Sequence, residues 1–455
     1  MPRSLHIAYS PNGVSWSTPF VASRLLETTM GVIQAVKGTR DFYPEDMAFR
    51  TWLYATIRSV SDSFGYQEYD APFLERLELY AAKSGEELVK EQTFVFPDRS
   101  GEYIALRPEL TLGLARMVAA RAKSLVLPLR WWSFGPCWRY ERPQKGRTRE
   151  FFQWNIDLLG PQSPETDAEL AAVGAAFLRQ VGLSPESVRI LVNDRKLAES
   201  GLNGLGIPAT LRSAVFRLID RREKLAPAAW EAQAREIGLD SAQFSGLQRL
   251  LADTQAWKRS PDLVAFFQAA QALDASDYLA YDPTIIRGLD YYTGIVFEGR
   301  DAAGEHRSIL GGGRYDNLVA DVGGDPVGGM GFAMGDVVIG LVLAAYDALP
   351  SLQPNPAQVL VATFDAATRT EALRLAAELR AAGLRCEWYP EADKLQRQYK
   401  HADRQRVPFV ALVGPDELAE GTVSIKDLAR GTQAAPRRQD AAAYLRSVIE
   451  GREPA

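Results

Sequence analysis

Residues 286–298 read I-R-G-L-D-Y-Y-T-G-I-V-F-E and carry more chemical information than any other stretch of this chain. The run places a guanidinium (Arg287), a carboxylate (Asp290) and two phenols (Tyr291 and Tyr292) directly before an apolar, strand-like segment. An arginine offers a permanently charged donor fork for phosphate oxygens, and a tyrosine combines an aromatic wall with a polar tip. The segment suits a site for a phosphoanhydride and a small polar aromatic ligand. A sheet strand with a surface arginine and two packed tyrosines explains it equally well.

A second informative string follows at residues 308–318, which read S-I-L-G-G-G-R-Y-D-N-L. In this order the two strings resemble the two signatures of histidyl-tRNA synthetases, and the resemblance extends from about residue 37 to about residue 444. It implies a multidomain fold of α+β and α/β type, with a class II synthetase antiparallel sheet flanked by helices, a helical insertion and a C-terminal α/β anticodon-binding domain. It also implies ligation of L-histidine to tRNA(His), with ATP and Mg²⁺.

The composition is that of an ordinary globular protein, with 455 residues, 46% hydrophobic and 24% charged. No apolar run reaches membrane-spanning length, so no membrane partner is expected. Two cysteines and three scattered histidines predict neither a disulfide framework nor a protein-bound metal, and a cytoplasmic location fits. The net charge of -5 does not by itself indicate a nucleic-acid binder, so tRNA contacts must come from local basic clusters.

Along the chain, residues 1–30 are interpreted as a disordered extension; a wrongly chosen upstream start codon and an organellar transit peptide are the alternatives. The catalytic domain is predicted over residues 31–191 and 279–349, with a helical insertion over 192–278. A proline-containing linker over 350–356 leads to an anticodon-binding domain over 357–455.

Two successive hairpins, residues 94–106 and 129–159, indicate a mostly antiparallel catalytic sheet rather than a dinucleotide-binding one. The last unit alternates apolar runs with helical stretches, which predicts a small mixed sheet. A helical stripe over residues 45–64 followed by a short strand resembles motif 1 of class II synthetases, which implies a homodimer. An amphipathic helix packed within one subunit is the alternative.

Residues 139–153 read R-Y-E-R-P-Q-K-G-R-T-R-E-F-F-Q. Strand alternation would place Arg139 and Glu141 on one face, and the charge run alone is typical of a solvated hairpin tip. The stretch also resembles motif 2 of class II synthetases. The resemblance implies that Arg139 binds the α-phosphate of ATP, that Glu141 lies near adenine, that Arg147 lies close to the triphosphate, and that the loop meets the tRNA acceptor end through Arg142, Gln144 and Lys145.

Glu109, in L-R-P-E-L-T, is a carboxylate beside Thr111 and suits an α-ammonium group. A helix N-terminal acid after Pro108 is the alternative. The resemblance implies that the ammonium is bound by Glu109, Thr111 and Gln153, and that the imidazole is read by Asp157 and Tyr292. Tyr291 is a further expected histidine-binding residue. Asp157 stands where many bacterial members have Glu. Arg287 matches the arginine that neutralises the α-phosphate, so Arg139 and Arg287 are the expected catalytic residues.

Residues 331–340, G-F-A-M-G-D-V-V-I-G, depart from the family. Motif 3 normally carries an arginine for the γ-phosphate where this chain has Val338. Either another basic residue, with Arg147 favoured, meets the phosphate tail, or ATP use is impaired. The second case favours a non-catalytic relative, the histidine-sensing regulatory subunit of ATP phosphoribosyltransferase. Asp336 suits either metal binding or a helix N-terminus.

Basic residues recur in the last domain at positions 394, 397, 400 and 404, a spacing that places them on one helix face. Such a face is usually solvated. Because the domain resembles an anticodon binder, Lys394 and Arg397 are candidate tRNA contacts.

Overall fold

A computed structural model describes residues 32–81, 92–287 and 291–451 of the chain. The predicted extension over residues 1–30 and the carboxylate of Asp290 lie outside these residues.

The α-helices of the described residues are α1 (Pro44–Ser63), α2 (Leu77–Ala81), α3 (Thr111–Arg121), α4 (Pro164–Gln180), α5 (Arg195–Gly204), α6 (Arg212–Asp220), α7 (Pro227–Glu236), α8 (Ser241–Ala252), α9 (Pro261–Ala272), α10 (Leu318–Asp321), α11 (Asp336–Ala345), α12 (Arg369–Ala381), α13 (Leu395–Arg404), α14 (Pro415–Glu420) and α15 (Ala441–Ile449). Short 3-10 helices include Arg222–Lys224. No helix in this part of the chain is both long enough and apolar enough to cross a membrane.

The strands are β1 (Gln67–Glu68), β2 (Leu74–Arg76), β3 (Val95–Pro97), β4 (Tyr103–Leu106), β5 (Leu129–Trp138), β6 (Glu150–Gly160), β7 (Val188–Asp194), β8 (Leu279–Tyr281), β9 (Ile295–Asp301), β10 (Leu310–Arg314), β11 (Gly328–Gly335), β12 (Val359–Ala362), β13 (Cys386–Trp388), β14 (Phe409–Leu412), β15 (Ser424–Asp427) and β16 (Gln433–Ala434).

The largest sheet has the strand order β1-β5-β6-β11-β10-β9-β7-β8. Every neighbouring pair from β5 to β7 is antiparallel. Parallel pairing occurs only at the two edges, where β1 joins β5 and β8 joins β7. The mostly antiparallel sheet predicted from the hairpins is therefore confirmed.

Strand β6 shows how this sheet separates an apolar face from a polar one. Successive side chains of a strand point to opposite faces. Trp154 packs on Phe177 of α4 and on Phe332 of β11, with ring centroids 5.3 Å and 4.9 Å apart. The residues on either side of Trp154 in the strand, Gln153 and Asn155, belong to the opposite face, which carries the polar side chains.

Helix α1 buries a stripe formed by Leu53, Ile57 and Val60, which are at most 2% exposed. The three- and four-residue spacing puts these side chains on one face of the helix, and they join the core of the large sheet. The helix ends before Gly65, which has the left-handed φ of +76° that glycine tolerates best. The stripe of α1 thus packs within its own subunit.

Between β7 and β8 the chain is helical, and α5 to α8 enclose an apolar cluster of their own that includes Leu202, Phe216 and Leu247. Helix α9 differs, because its Leu263 and Phe266 belong to the core of the large sheet. The limits of the insertion at residues 192 and 278 stay predictions.

The C-terminal part has a separate sheet in the order β13-β12-β14-β15-β16. Strand β12 is parallel to both of its neighbours, whereas β14, β15 and β16 pair antiparallel. The predicted small mixed sheet is confirmed. A third sheet, β2-β4-β3, is antiparallel and includes the predicted hairpin of residues 94–106.

Candidate functional site

The polar face of the large sheet has a floor of very small residues at its centre. Gln153, Asn155 and Asp157 alternate along β6 and therefore share this face. Opposite them on β11 and β10 stand five positions without a side chain larger than methyl: Gly335, Ala333 and Gly331, followed by Gly311 and Gly313. A shallow cleft in the sheet surface results.

Three of the predicted site residues lie directly on glycines of this floor. A Cβ atom at Gly331 would collide with the carboxylate of Asp157, and one at Gly311 would collide with the guanidinium of Arg287. A Cβ atom at Gly313 would stand 2.7 Å from the ring of Tyr292. The glycines thus allow these three side chains to lie flat on one sheet face.

At one end of the cleft, two buried acceptor atoms have no hydrogen-bond donor among the described residues. Glu109 is 5% exposed, and its Oε1 atom has no hydrogen-bond partner among the described residues. The same holds for Oε1 of Gln153. Thr111, at the start of α3, accepts a hydrogen bond from Nδ2 of Asn155 at 3.1 Å, so its own hydroxyl proton remains available. Burial raises the pKa of Glu109, and the nearby charge of Arg139 opposes the rise.

The other end is built around Asp157, which is 1% exposed. The hydroxyl of Tyr315 donates a 2.6 Å hydrogen bond to its Oδ1 atom, whereas Oδ2 has no partner in the described part of the chain. Burial raises the pKa of Asp157 to about 7, although the Tyr315 hydrogen bond lowers it. The rings of Tyr291 and Tyr292, 4.8 Å apart, wall this end.

Tyr315 was missed as a site residue, although it stands in the quoted string G-G-G-R-Y-D. The string therefore marked the region of Tyr315. It could not show that Tyr315 contacts Asp157, because the two residues are far apart in sequence. Only the antiparallel pairing of β6 with β11, and of β11 with β10, brings them together.

Arg287 lies between the floor and the helical insertion. Its backbone has φ +59°, the left-handed region in which a residue with a side chain is strained by about 1–3 kcal/mol. Its Nη1 atom donates to Oε2 of Glu298 at 2.8 Å, and Nε is buried without a partner among the described residues. Glu298 also accepts from Nε of Arg300 at 2.9 Å, and Nη1 of Arg300 donates to Glu223 at 2.8 Å.

The structure corrects the placement of Arg139 and Glu141. Strand β5 ends at Trp138, so strand alternation does not put the two side chains on one face. The backbone N–H of Glu141 instead donates to the carbonyl of Arg139 at 2.7 Å, which closes a tight turn. Arg139 donates from Nε to the carbonyl of Pro108 at 3.0 Å and covers the ring of Phe151. This contact places Arg139 next to Glu109.

The motif 2 loop continues from this turn. Gln144 and Arg147 exchange backbone hydrogen bonds of 3.1 Å and 2.8 Å. Nη1 of Arg147 lies 2.8 Å from Oε2 of Glu141, an ion pair without the alignment of a hydrogen bond. The candidate tRNA contacts of this loop, Arg142, Gln144 and Lys145, are all exposed.

Val338 is 9% exposed and faces the same loop. The point where a Cβ atom would stand at Gly146 lies 3.8 Å from Cγ2 of Val338 and 3.5 Å from Cδ of Arg307. Arg307, an exposed side chain just before the glycine floor, was missed in the sequence. Arg314 is unsuited to a ligand, because it is buried against Asp167 and Asp316.

Asp336 behaves as a helix N-terminal acid with two structural partners. Its Oδ1 atom accepts from the backbone of Phe152 at 2.9 Å, and Oδ2 accepts from Arg40 at 2.7 Å. Both oxygens are thus engaged, which leaves the metal-binding alternative without support. No group of three or more potential metal-ligating side chains occurs in the described ranges.

The four basic residues at positions 394, 397, 400 and 404 are exposed. Lys394 precedes α13, and Arg397 pairs with Asp393 at 3.0 Å while staying 73% exposed. A contact of either residue with tRNA stays a prediction.

Comparison with known proteins places this chain in a family. The family model "Histidyl-tRNA synthetase" matches residues 38–336, and the model "Anticodon binding domain" matches residues 358–448. A chloroplastic/mitochondrial histidine–tRNA ligase of Arabidopsis thaliana is 36% identical, over 95% of this chain and 91% of its own length. A histidine–tRNA ligase of Opitutus terrae is 37% identical, over 92% of this chain and 99% of its own.

Among solved structures, the histidyl-tRNA synthetase of Nostoc superposes with a TM-score of 0.78 at 25% identity, covering 92% of this chain and all of that one. The family model spans more than half of the chain, and the relatives cover nearly all of it. This chain belongs to the histidyl-tRNA synthetase family.

Proposed function

We propose that this chain joins L-histidine to tRNA(His), using ATP to form histidyl-adenylate first. The observation that carries the proposal is the set of buried acceptor atoms without partners on the polar sheet face, at Glu109, Gln153 and Asp157. Buried polar groups are normally hydrogen-bonded, because an unmade bond costs about 1–3 kcal/mol. A ligand with an ammonium at one end and a ring N–H at the other satisfies all three.

Histidine is such a ligand. Its α-ammonium binds Glu109 and Gln153, with Thr111 beside them, and its imidazole N–H donates to Oδ2 of Asp157. Tyr291 and Tyr292 supply the aromatic wall, and Tyr292 offers a hydroxyl to the second ring nitrogen. A site built on polar pairing rejects analogues that lack the partner atoms far better than an apolar pocket does.

Adenylate formation then needs positioning and charge neutralisation. A carboxylate oxygen of histidine attacks the α-phosphorus of ATP, an O–P bond forms, and the bond to the bridging oxygen of the β-phosphate breaks to release pyrophosphate. The carboxylate is already ionised, so no general base is required. Arg139 and Arg287 neutralise the charge that develops on the α-phosphate.

ATP lies along the motif 2 loop, with adenine near Glu141 and the phosphates near Arg147. Mg²⁺ arrives with ATP, because this ion prefers phosphate oxygens and water to a protein cage. In the second step a hydroxyl of the terminal ribose of tRNA attacks the adenylate carbonyl, and AMP leaves. Arg142, Gln144 and Lys145 meet the acceptor end, while Lys394 and Arg397 serve the anticodon end. We place the reaction in the cytoplasm, as the cysteine content suggests.

The chain acts as a homodimer in this proposal. The small sheet β2-β4-β3 and the residue before it expose five apolar side chains: Phe73, Leu74, Val95, Phe96 and Tyr103, all at least 36% exposed. Leu74 and Phe96 share one face of this sheet, because they pair with Leu106 and Ile104 of β4. Exposed apolar side chains on one sheet face are typical of an interface. The buried stripe of α1 gives no such surface.

The alternative function is a regulatory subunit that binds histidine without activating it. Val338 favours it, because the family's γ-phosphate arginine is missing. Arginines at positions 139, 147 and 287 and a complete anticodon-binding domain favour the ligase.

Histidine-dependent exchange between pyrophosphate and ATP tests the ligase directly. The purified protein should catalyse exchange with histidine and with no other standard amino acid. Histidine binding without exchange at any ATP concentration would establish the regulatory alternative. Comparable exchange with a second amino acid would contradict the imidazole-reading role of Asp157 and Tyr292.

Replacing a basic side chain that contacts the phosphates should change the KM for ATP and not the KM for histidine. We expect Arg147→Ala to raise the KM for ATP about 10-fold or more, the value of one charge-assisted hydrogen bond, with the KM for histidine nearly unchanged. Arg307→Ala is measured in parallel, and Arg446→Ala, an exposed arginine of α15, is the control. A raised KM for ATP in Arg307→Ala only would transfer the role to Arg307. An unchanged KM in both variants would contradict a substitute cation in this region.

The exposed small sheet should hold two copies together. The double variant Leu74→Asp/Phe96→Asp places two charges on one face of this sheet, so sedimentation velocity should show a dimer for the wild type and a monomer for the variant. Leu418→Asp, at a similarly exposed leucine of the C-terminal part, should remain dimeric. A wild-type protein that sediments as a monomer at micromolar concentration would refute the homodimer.

The buried carboxylate of Asp157 should make the free protein less stable as pH rises. Its pKa is raised by burial from 3.8 to about 7, so between these values the folded state binds the proton and the unfolded state does not. Stability therefore falls across this window, by up to about 4 kcal/mol from this group. Thermal melting between pH 4 and 8 should show a smaller loss in Asp157→Asn. Identical pH profiles for the two proteins would contradict the raised pKa.

A further inference from the structure

The guanidinium of Arg287 is the first link of a chain of ion pairs that runs out of the cleft. Glu298 bridges Arg287 and Arg300 with its two oxygens, at 2.8 Å and 2.9 Å, and Arg300 reaches Glu223 at 2.8 Å. Although burial alone raises it, the two guanidiniums hold the pKa of Glu298 below its usual range. Glu298 is thus a fixed negative charge between two positive ones.

The last link belongs to the helical insertion. Glu223 lies in the short helix Arg222–Lys224, between α6 and α7, whereas Glu298 and Arg300 lie on β9 of the large sheet. Residues 298 and 300 alternate with 299 along the strand and therefore share the face that carries the cleft. The chain of ion pairs therefore connects the insertion to the large sheet.

A second, independent contact ties the same arginine to the insertion. Ile286, the residue immediately before Arg287, is 2% exposed and packs in the apolar cluster of the insertion rather than in the core of the sheet. The backbone then turns through the left-handed conformation at Arg287. Both the main chain and the side chain of Arg287 are therefore fixed from the insertion side.

Ile286 also borders a partly open cavity of about 130 Å³, whose walls include Leu202, Ile219 and Leu250 of the insertion. Helices α5 to α8 enclose the apolar cluster that contains Ile286, whereas α9 packs on the core of the large sheet. The part of the insertion that contacts Ile286 is therefore the cluster of α5 to α8.

We propose that Glu298 and Arg300 are positioning residues, and that the helical insertion, acting through Glu223 and Ile286, sets the orientation of Arg287 for adenylate formation. The inference rests on the proposed role of Arg287 in neutralising the α-phosphate. A donor must lie within a fraction of an ångström of its target to stabilise developing charge, and a misplacement of about 1 Å costs about 10²-fold in rate. Any ligand that moves the insertion is thereby coupled to the first chemical step.

The strength of the links decreases outward, which fixes the expected order of effects. The side chains of Arg287 and Glu298 are 21% and 14% exposed, whereas Arg300 and Glu223 are 31% and 64% exposed. Ion pairs closer to the cleft exclude more water, so each contributes more interaction free energy than a solvent-exposed pair does. Histidine-dependent exchange in Glu298→Gln should lose about 10- to 100-fold in kcat. Glu223→Gln should lose only about 2- to 5-fold, as expected for an exposed ion pair.

The KM for histidine should be unchanged in both variants, because neither residue contacts the amino acid. Lys224→Met is the matched control: it removes the exposed ion pair with Asp220 from the neighbouring position of the same short helix, and it should exchange at the wild-type rate. Arg300→Lys, which keeps a charge beside Glu298, should recover more activity than Arg300→Met. Equal activity of the two Arg300 variants would contradict a charge-mediated role.

The decisive measurement places Glu223→Gln and Arg300→Met in an Arg287→Ala background. Arg287→Ala alone should lower the exchange rate about 10²- to 10³-fold. If the insertion acts through Arg287, neither second change lowers the rate further; if each change lowers it by the same factor as in the wild type, the inference is overturned. A normal rate in Arg287→Ala would instead refute the proposed role of Arg287 itself. Should Glu298→Gln fail to fold, the more exposed Arg300 and Glu223 variants carry the test, with thermal melting as the check on folding.

Discussion

The absence of side chains at the centre of the large sheet is the constraint on which the cleft depends. Gly311, Gly313 and Gly331 face the polar side of neighbouring strands, and each lies directly under a side chain that the proposed mechanism uses. Glycine weakens a strand, because it loses more conformational freedom on folding and packs nothing. Its repeated use here is explained by what lies above it, since any Cβ atom would push Arg287, Tyr292 or Asp157 out of the plane they share.

Unpaired polar atoms in the cleft also destabilise the ligand-free protein. Acceptor atoms of Glu109, Gln153 and Asp157 are buried without partners in the described residues, and burial raises the pKa of both carboxyl groups. An apolar replacement of these groups would stabilise the empty protein. A ligand that supplies the missing donors recovers the desolvation energy on binding. In the proposed function, selectivity for histidine and instability of the free site therefore have the same physical origin.

Sequence patterns predicted the architecture well, because hairpins and apolar alternation are local signals. The antiparallel sheet, the mixed C-terminal sheet and the hairpin of residues 94–106 all follow from such patterns. The prediction that Arg139 and Glu141 share a strand face was wrong, because β5 ends at Trp138 and the chain then turns. Contacts that depend on strand order were also out of reach, as with Tyr315 on Asp157. Glu223 gave no signal at all, since an exposed glutamate in a polar helical segment has no distinguishing neighbours.

Two of the arginines near the cleft are paired with carboxylates in the ligand-free structure: Arg287 with Glu298, and Arg147 with Glu141. Such pairing weakens the attraction of each guanidinium for ATP, yet it fixes the donors in advance, so little reorganisation is needed when charge develops. Glu298 accepts hydrogen bonds from both Arg287 and Arg300, so the positions of these two arginines depend on each other. Val338 takes part in neither pair. In the proposed mechanism, the absence of an arginine at that position would therefore cost one contact to ATP and leave the pairs of Arg287 and Arg147 in place.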